Sequence, residues 1–157
     1  MMNAHEQRMC EMQGEFFALS TKRFSCGSAL FISRFMYSEL AEELDQVDDP
    51  YNFISPNNLI STMASRYPGL SNEQGTLMTE KVMHWMGYIY RAWSIIKHKE
   101  SSWIYKRMKA ERMAALYDTF HTFSPEYCVD RLEQIVNENS SPVLSDYEVY
   151  KQIRIAK

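Results

Sequence analysis

The stretch Thr79–His98, TEKVMHWMGYIYRAWSIIKH, constrains the fold of this chain more than any other. With successive residues about 100° apart, as helical periodicity requires, Val82, Met83, Trp85, Met86, Ile89, Tyr90, Trp93 and Ile96 share one broad arc. His84, Gly87, Arg91, Ser94 and His98 fall on the narrower opposite arc. An apolar stripe that wide needs several neighbouring helices to cover it. The chain has only 5 Gly and 5 Pro, so turns are few and the remaining periodic runs favour helices. The sequence therefore predicts an all-α fold. It is a compact bundle of about six or seven helices around a central aromatic-rich helix at 79–98.

The other elements follow from periodicity and caps. Met9, Met12, Phe16 and Leu19 mark a helix from Ala4 to Leu19 whose terminus is expected to fray. Phe31, Ile32, Phe35, Met36, Leu40 and Leu44 mark a second, from Ser28 to Gln46. Its far end is acidic, which opposes the helix dipole. A turn is expected at 49–52. Ser55-Pro56 and Ser124-Pro125 each read as a cap followed by proline at the first helical position. Pro68-Gly69 ends the helix that Ser55 starts, and a loop at 70–78 leads to Thr79, the cap of the central helix. A short helix holds Trp103, Ile104 and Tyr105, and another runs from Ala110 to Thr122. The last buries Cys128, Val129, Leu132, Ile135 and Val136. The 157 residues suit one domain, 1–157, with a C-terminal tail at 143–157.

Composition narrows the function classes. A net charge of −3 argues against a general nucleic-acid binder. The three cysteines, Cys10, Cys26 and Cys128, form no paired motif, so free thiols in a reducing cytoplasm are expected. The N-terminus carries no signal-peptide pattern, and no apolar run reaches membrane-spanning length. A cytoplasmic protein without membrane association is the expectation, the alternative being export by a route that leaves no N-terminal signal. No phosphate loop, zinc-protease helix or nucleophile elbow is present, and nothing calls for a cofactor, a metal or a catalytic residue.

Three surfaces remain as candidates. The first is the polar arc of the central helix. His84, Tyr88 and Arg91 there, with His121 from Phe120-His121-Thr122-Phe123, form a candidate ligand or partner face. Gly87 lies among them at a cost of about 1 kcal/mol against alanine, which suggests a close approach to the backbone. Arg91 either holds an anion or pairs with an acidic residue such as Asp118 or Asp130. The second is an acidic partner surface of Glu39, Glu42, Glu43 and Asp45. The third is a basic surface of Lys97, Lys99, Lys106, Arg107, Lys109 and Arg112. His121 would act as a base only if a group such as Cys128 or Asp130 lay beside it.

HWMGYIYRAW (84–93), SSWIYK (101–106) and FHTFSPEYCVDRL (120–132) together resemble a group of small bacterial proteins. That group carries Trp-x-Gly-Tyr-x-Tyr-Arg-x-Trp, then Ser-Ser-x-x-x-Tyr-Lys, then His-Thr-x-x-Pro-Glu. This chain has one residue fewer between Ser102 and Tyr105. The resemblance spans about the C-terminal half. It implies a helical, cytosolic bacterial protein of the kind found in mobile or toxin–antitoxin-type loci, and it transfers no catalytic residue. The expected function is a non-enzymatic, antitoxin-like regulatory protein whose partner is another protein, such as a toxin-like neighbour. The alternative is a small-ligand or nucleic-acid-binding regulator using Arg91, Tyr88 and the basic run 97–112. A third reading is an enzyme using His84 or His121. Oligomeric state stays open.

Overall fold

The computed structural model describes residues 1–46 and 54–139, and the described residues are all-α. In chain order the helices are α1 (Ala4–Arg23), α2 (Ser28–Met36), α3 (Glu39–Asp45), α4 (Pro56–Arg66), α5 (Glu80–Lys97), α6 (Ser101–Arg107), α7 (Ala110–Ala115), α8 (Tyr117–Phe120) and α9 (Pro125–Asn139). A 3₁₀ turn, Pro68–Ser71, follows α4. The expected turn at 49–52 and the tail at 143–157 lie outside the described residues.

The caps act as the sequence suggests. Ser55 Oγ accepts from Asn58 N ahead of Pro56, Thr79 Oγ1 accepts from Val82 N, and Ser124 Oγ accepts from Tyr127 N ahead of Pro125. The N-terminus differs from expectation. Instead of fraying, α1 is closed by a capping box: Glu6 N donates to Asn3 Oδ1 at 2.8 Å, and Asn3 N donates to Glu6 Oε1 at 2.9 Å. Met2 is buried beyond it.

Two expected helices are each broken in two. The run at 28–46 stops at Met36 because Ser38 leaves the helical conformation. Its hydroxyl donates to Phe35 O at 2.6 Å and accepts from Ala41 N at 3.2 Å, ending α2 and capping α3. The break reverses the electrostatics expected there. Glu39 and Glu42 lie in the first turn of α3, where the helix dipole favours carboxylates. The run at 110–122 is interrupted at Leu116. Nothing in the local sequence marks that interruption.

The core is organised on α5. Met83, Trp85, Met86, Ile89, Tyr90 and Trp93 are buried as expected, and Val82 and Ile96 are half-buried. Trp93 Nε1 donates to Glu133 Oε1 of α9 at 2.7 Å, so the indole is anchored as well as packed. On α1 and α2, Phe16, Phe17, Phe31 and Phe35 meet edge to face, with Phe16 and Phe35 centroids 5.0 Å apart. The unexpected feature is the polar arc of α5. Gly87, Arg91 and Ser94 are also buried, so the middle of this helix is covered nearly all round.

Helix α1 does the covering, through two facing glycines. A Cβ on Gly87 would stand 2.5 Å from Gln13 O and 2.9 Å from Phe17 Cγ. A Cβ on Gly14 would stand 2.9 Å from His84 O. Each helix thus removes a side chain where the other's backbone passes, and Gln13 Nε2 donates to Gly87 O at 3.0 Å across the contact. The close-packing reading of Gly87 is the one the structure bears out. Gly87→Ala is expected to lower stability by about 1–3 kcal/mol, because the obstacle is a backbone carbonyl that cannot swing away. This holds although alanine is the better helix former by about 1 kcal/mol. Chemical denaturation reads the outcome, and a variant as stable as the parent would contradict this helix contact.

Candidate functional site

The polar residues of α5 separate into two places. Arg91 points inward and is 1% exposed. Its Nη1 donates to Asp45 Oδ1 at 2.7 Å and to Ser94 Oγ at 3.5 Å. Its Nη2 donates to Ser101 Oγ at 3.4 Å, and its Nε to Gln13 Oε1 at 2.9 Å. Asp45 in turn accepts from Ser101 N at 2.8 Å and Ser101 Oγ at 2.6 Å. Its carboxylate thereby caps α6, whose own N-cap residue, Glu100, makes no side-chain cap bond. One ion pair and its hydrogen bonds tie α1, α3, α5 and α6 together.

This arrangement corrects two expectations. The acidic partner of Arg91 is Asp45, not Asp118 or Asp130; Asp130 pairs with Lys97 at 2.7 Å. Asp45 in turn is no part of an acidic partner surface, since its side chain is only 8% exposed. Glu39, Glu42 and Glu43 remain exposed, with Glu43 3.4 Å from Arg66. A cavity of about 520 Å³ borders the ion pair and is lined also by His5, Glu42 and His98. Arg91 also lines it, but most of its N–H groups are committed to protein acceptors. The basic run is likewise partly occupied: Lys99 and Arg107 lie over the Trp103 ring at 4.4 and 4.0 Å, while Lys106, Lys109 and Arg112 are exposed.

The other candidates meet in an open groove of about 380 Å³, lined by Glu11, Lys81, His84, Trp85, Tyr88, Tyr117 and His121. Three of the four residues expected to share a face, His84, Tyr88 and His121, line it. Arg91 does not, and Arg91 and Tyr88 line different concavities. The ring of His84 lies over α1 where Gly14 leaves room, and its Nε2 is 2.7 Å from Glu11 Oε2. Burial, and then neighbouring Cys10, Glu11 and Glu126, push the Tyr88 hydroxyl above its ordinary range. His121 stacks on Tyr117 with centroids 4.3 Å apart, and its Nδ1 is 2.8 Å from Tyr117 O.

Next in sequence come Phe123 and Tyr127, 44% and 49% exposed, with their rings 4.9 Å apart. Cys128 does not pair with His121. Its thiol is buried, donates to Phe120 O at 3.2 Å, and is pushed up to about 11 by burial. Among the described residues, no group of three or more His, Cys, Asp or Glu side chains is placed to hold a metal ion. No described helix is long and apolar enough to cross a membrane. The residues that sequence reasoning missed are Glu11, Gln13 and Lys81. Gly14, in mid-helix, is the one sequence signal that α1 approaches another backbone. Comparison of the chain with protein-family profiles, curated proteins and solved structures gave no match.

Two consequences can be measured. Asp45→Asn strands the Arg91 charge and is expected to cost about 3–5 kcal/mol. Arg91→Met combined with Asp45→Asn should cost less than the sum of the single changes, since neither charge is then left unpaired. Denaturation of the four proteins forms the cycle, and strict additivity would contradict the pairing. Burial also pushes the Cys10 thiol up to about 12. These raised values mean that the unfolded chain loses its thiol protons first. The stabilisation is therefore intact below the ordinary thiol range of about 8.5 and is lost as pH rises towards 11 and 12. Denaturant midpoints should fall between pH 9 and pH 11, and Cys10→Ala/Cys128→Ala should flatten that fall.

Proposed function

We propose that this chain is a non-enzymatic protein-binding regulator of the antitoxin-like kind, and that it engages its partner through the aromatic groove. The observation that carries the reading is the composition of that surface. Trp85, Tyr88, Tyr117 and His121 line one open concavity. Phe123 and Tyr127 stand exposed a few residues further on. Tyrosine, tryptophan and phenylalanine with a polar rim make up the contact centres of protein interfaces, because each ring supplies large area for few ordered torsions. Glu39, Glu42 and Glu43 supply a second surface that can steer a basic partner by long-range attraction.

The small-ligand and nucleic-acid reading loses its anchor, since Arg91 is buried and most of its N–H groups are bonded to Asp45, Gln13, Ser94 and Ser101. The bacterial, cytoplasmic setting belongs to the same proposal and is supported by the motif resemblance. The test places a photo-crosslinker at Tyr127 or at Glu39 and identifies the attached protein by mass spectrometry. Tyr117→Ala with Phe123→Ser is expected to abolish capture at Tyr127 while the melting temperature stays within a few degrees of the parent. Unchanged capture by that variant would remove the groove as the binding surface.

A further inference from the structure

The surface formed by α2, α3 and α6 carries both signs of charge in separate halves, and we propose that two copies of this chain pair through it about a two-fold axis. Helix α6 orders the charges. Its first turn lies against α3, where Ser101 N donates to Asp45 Oδ2. The exposed carboxylates Glu39, Glu42 and Glu100 line a small recess there. Its last turn carries Lys106 and Arg107, and Lys109 and Arg112 follow in sequence, all four exposed. Glu111 is the one carboxylate among them. Helix α2 packs against α6 and α7 and adds the exposed Arg34.

Tyr37, 45% exposed, stands between the two halves. Its ring lines the recess beside Glu39 and Glu42. It also meets Tyr105, the residue before Lys106, edge-on with centroids 5.4 Å apart. An exposed aromatic ring framed by charges is the anatomy of an interface centre and its rim. Among the described residues, none of Glu39, Glu42 and Glu100, and none of Arg34, Lys106 and Lys109, has an ion-pair partner within its own chain. An outside partner of one sign would satisfy half of this face and be repelled by the other half. A basic protein would meet Lys106 and Lys109, and a nucleic acid would meet Glu39 and Glu42. A second copy turned about a two-fold axis at Tyr37 sets carboxylates on cations in both directions, because an isologous contact occurs twice. The face shares no residue with the aromatic groove, so the dimer and the protein partner are tested separately.

The experiment follows the mass of the full chain by sedimentation equilibrium, up to millimolar protein. The parent is expected to dimerise at low salt and to dimerise at least about tenfold less tightly in molar salt, where the screening length falls to about 3 Å. Glu39→Lys/Glu42→Lys sets like charges together in both contacts, and so does Lys106→Glu/Lys109→Glu. Each double variant is expected to dimerise at least about tenfold less tightly than the parent at low salt. Mixed in equal amounts, the two variants regain opposite charges in both contacts and are expected to form a heterodimer about as tight as the parent's dimer. Tyr37→Ser should weaken the parent's dimer several-fold. Melting curves of each variant confirm that the fold is kept.

A parent that stays monomeric at low salt and millimolar concentration would overturn the proposal. A dimer that survives either charge variant, or two variants that stay apart when mixed, would do the same. Mass that keeps growing past the dimer means an open head-to-tail contact and overturns the two-fold pairing. Tyr117→Ala/Phe123→Ser is expected to leave the dimer unchanged. Loss of the dimer in that variant would place the contact on the aromatic groove instead.

Discussion

The interior depends on one ion pair, Arg91 with Asp45, 2.7 Å apart and almost sealed from water. Taking both charges out of solvent costs several kcal/mol per ion, and their attraction offsets this only if the remaining donors and acceptors are also bonded. Here they are. Gln13, Ser94 and Ser101 accept from the guanidinium, and Ser101 donates to the carboxylate through both its amide and its hydroxyl. Each partner comes from a different element. The pair therefore fixes where α3 ends and where α6 begins, a job that apolar contacts, which are non-directional, do poorly. Helix α6 has only seven residues, and its N-cap residue makes no side-chain cap bond. Without the Asp45 carboxylate its first amide would have no such acceptor.

The same pair shows how far the sequence could be read. Periodicity placed α5 within a residue at each end and found its buried apolar face, because a long helix repeats its signal many times. The caps at Ser55, Thr79 and Ser124 were legible because side-chain oxygen, spacing and proline combine in one local pattern. The polar arc was legible only as polar. Periodicity says that Gly87, Arg91 and Ser94 share a face. It cannot say that a second helix with its own glycine lies there, because the information sits seventy residues away, in Gln13 and Gly14. Ser38 is the opposite case. A hydroxyl inside an apolar-periodic run is tolerated in many helices, and only its bond to Phe35 O shows that this one ends a helix.

The candidate site divides along the same line. His84, Tyr88 and His121 were expected to share a face with Arg91, and the first three do meet. Their meeting follows from α5 and α8 lying side by side at Trp85 and Tyr117. Position 91 lies a full helical turn beyond 87 and 88, where α1 and α3 close over the helix, so its charge turned inward to Asp45. What a sequence shows as one cluster of polar residues became an internal clamp and an external groove. The acidic run divided in the same way, with Asp45 taken into the interior and Glu39, Glu42 and Glu43 left outside.

The same division separates the groove from the interior. The charges that hold the bundle are internal, and the groove's polar groups take no part in that network. The groove's own polar groups are held by short bonds on exposed ground: His84 by Glu11, and His121 by the carbonyl one turn earlier. Such bonds contribute little to stability when solvent competes for both partners. What they do instead is hold the two imidazole rings in one orientation. Gly14 completes the arrangement. The glycine that lets α1 approach α5 is the same one that leaves space for the His84 ring, with Nε2 3.0 Å from where a Cβ would stand. The helix contact that seals the clamp thus also positions the histidine that faces outward, and a side chain at position 14 would disturb both.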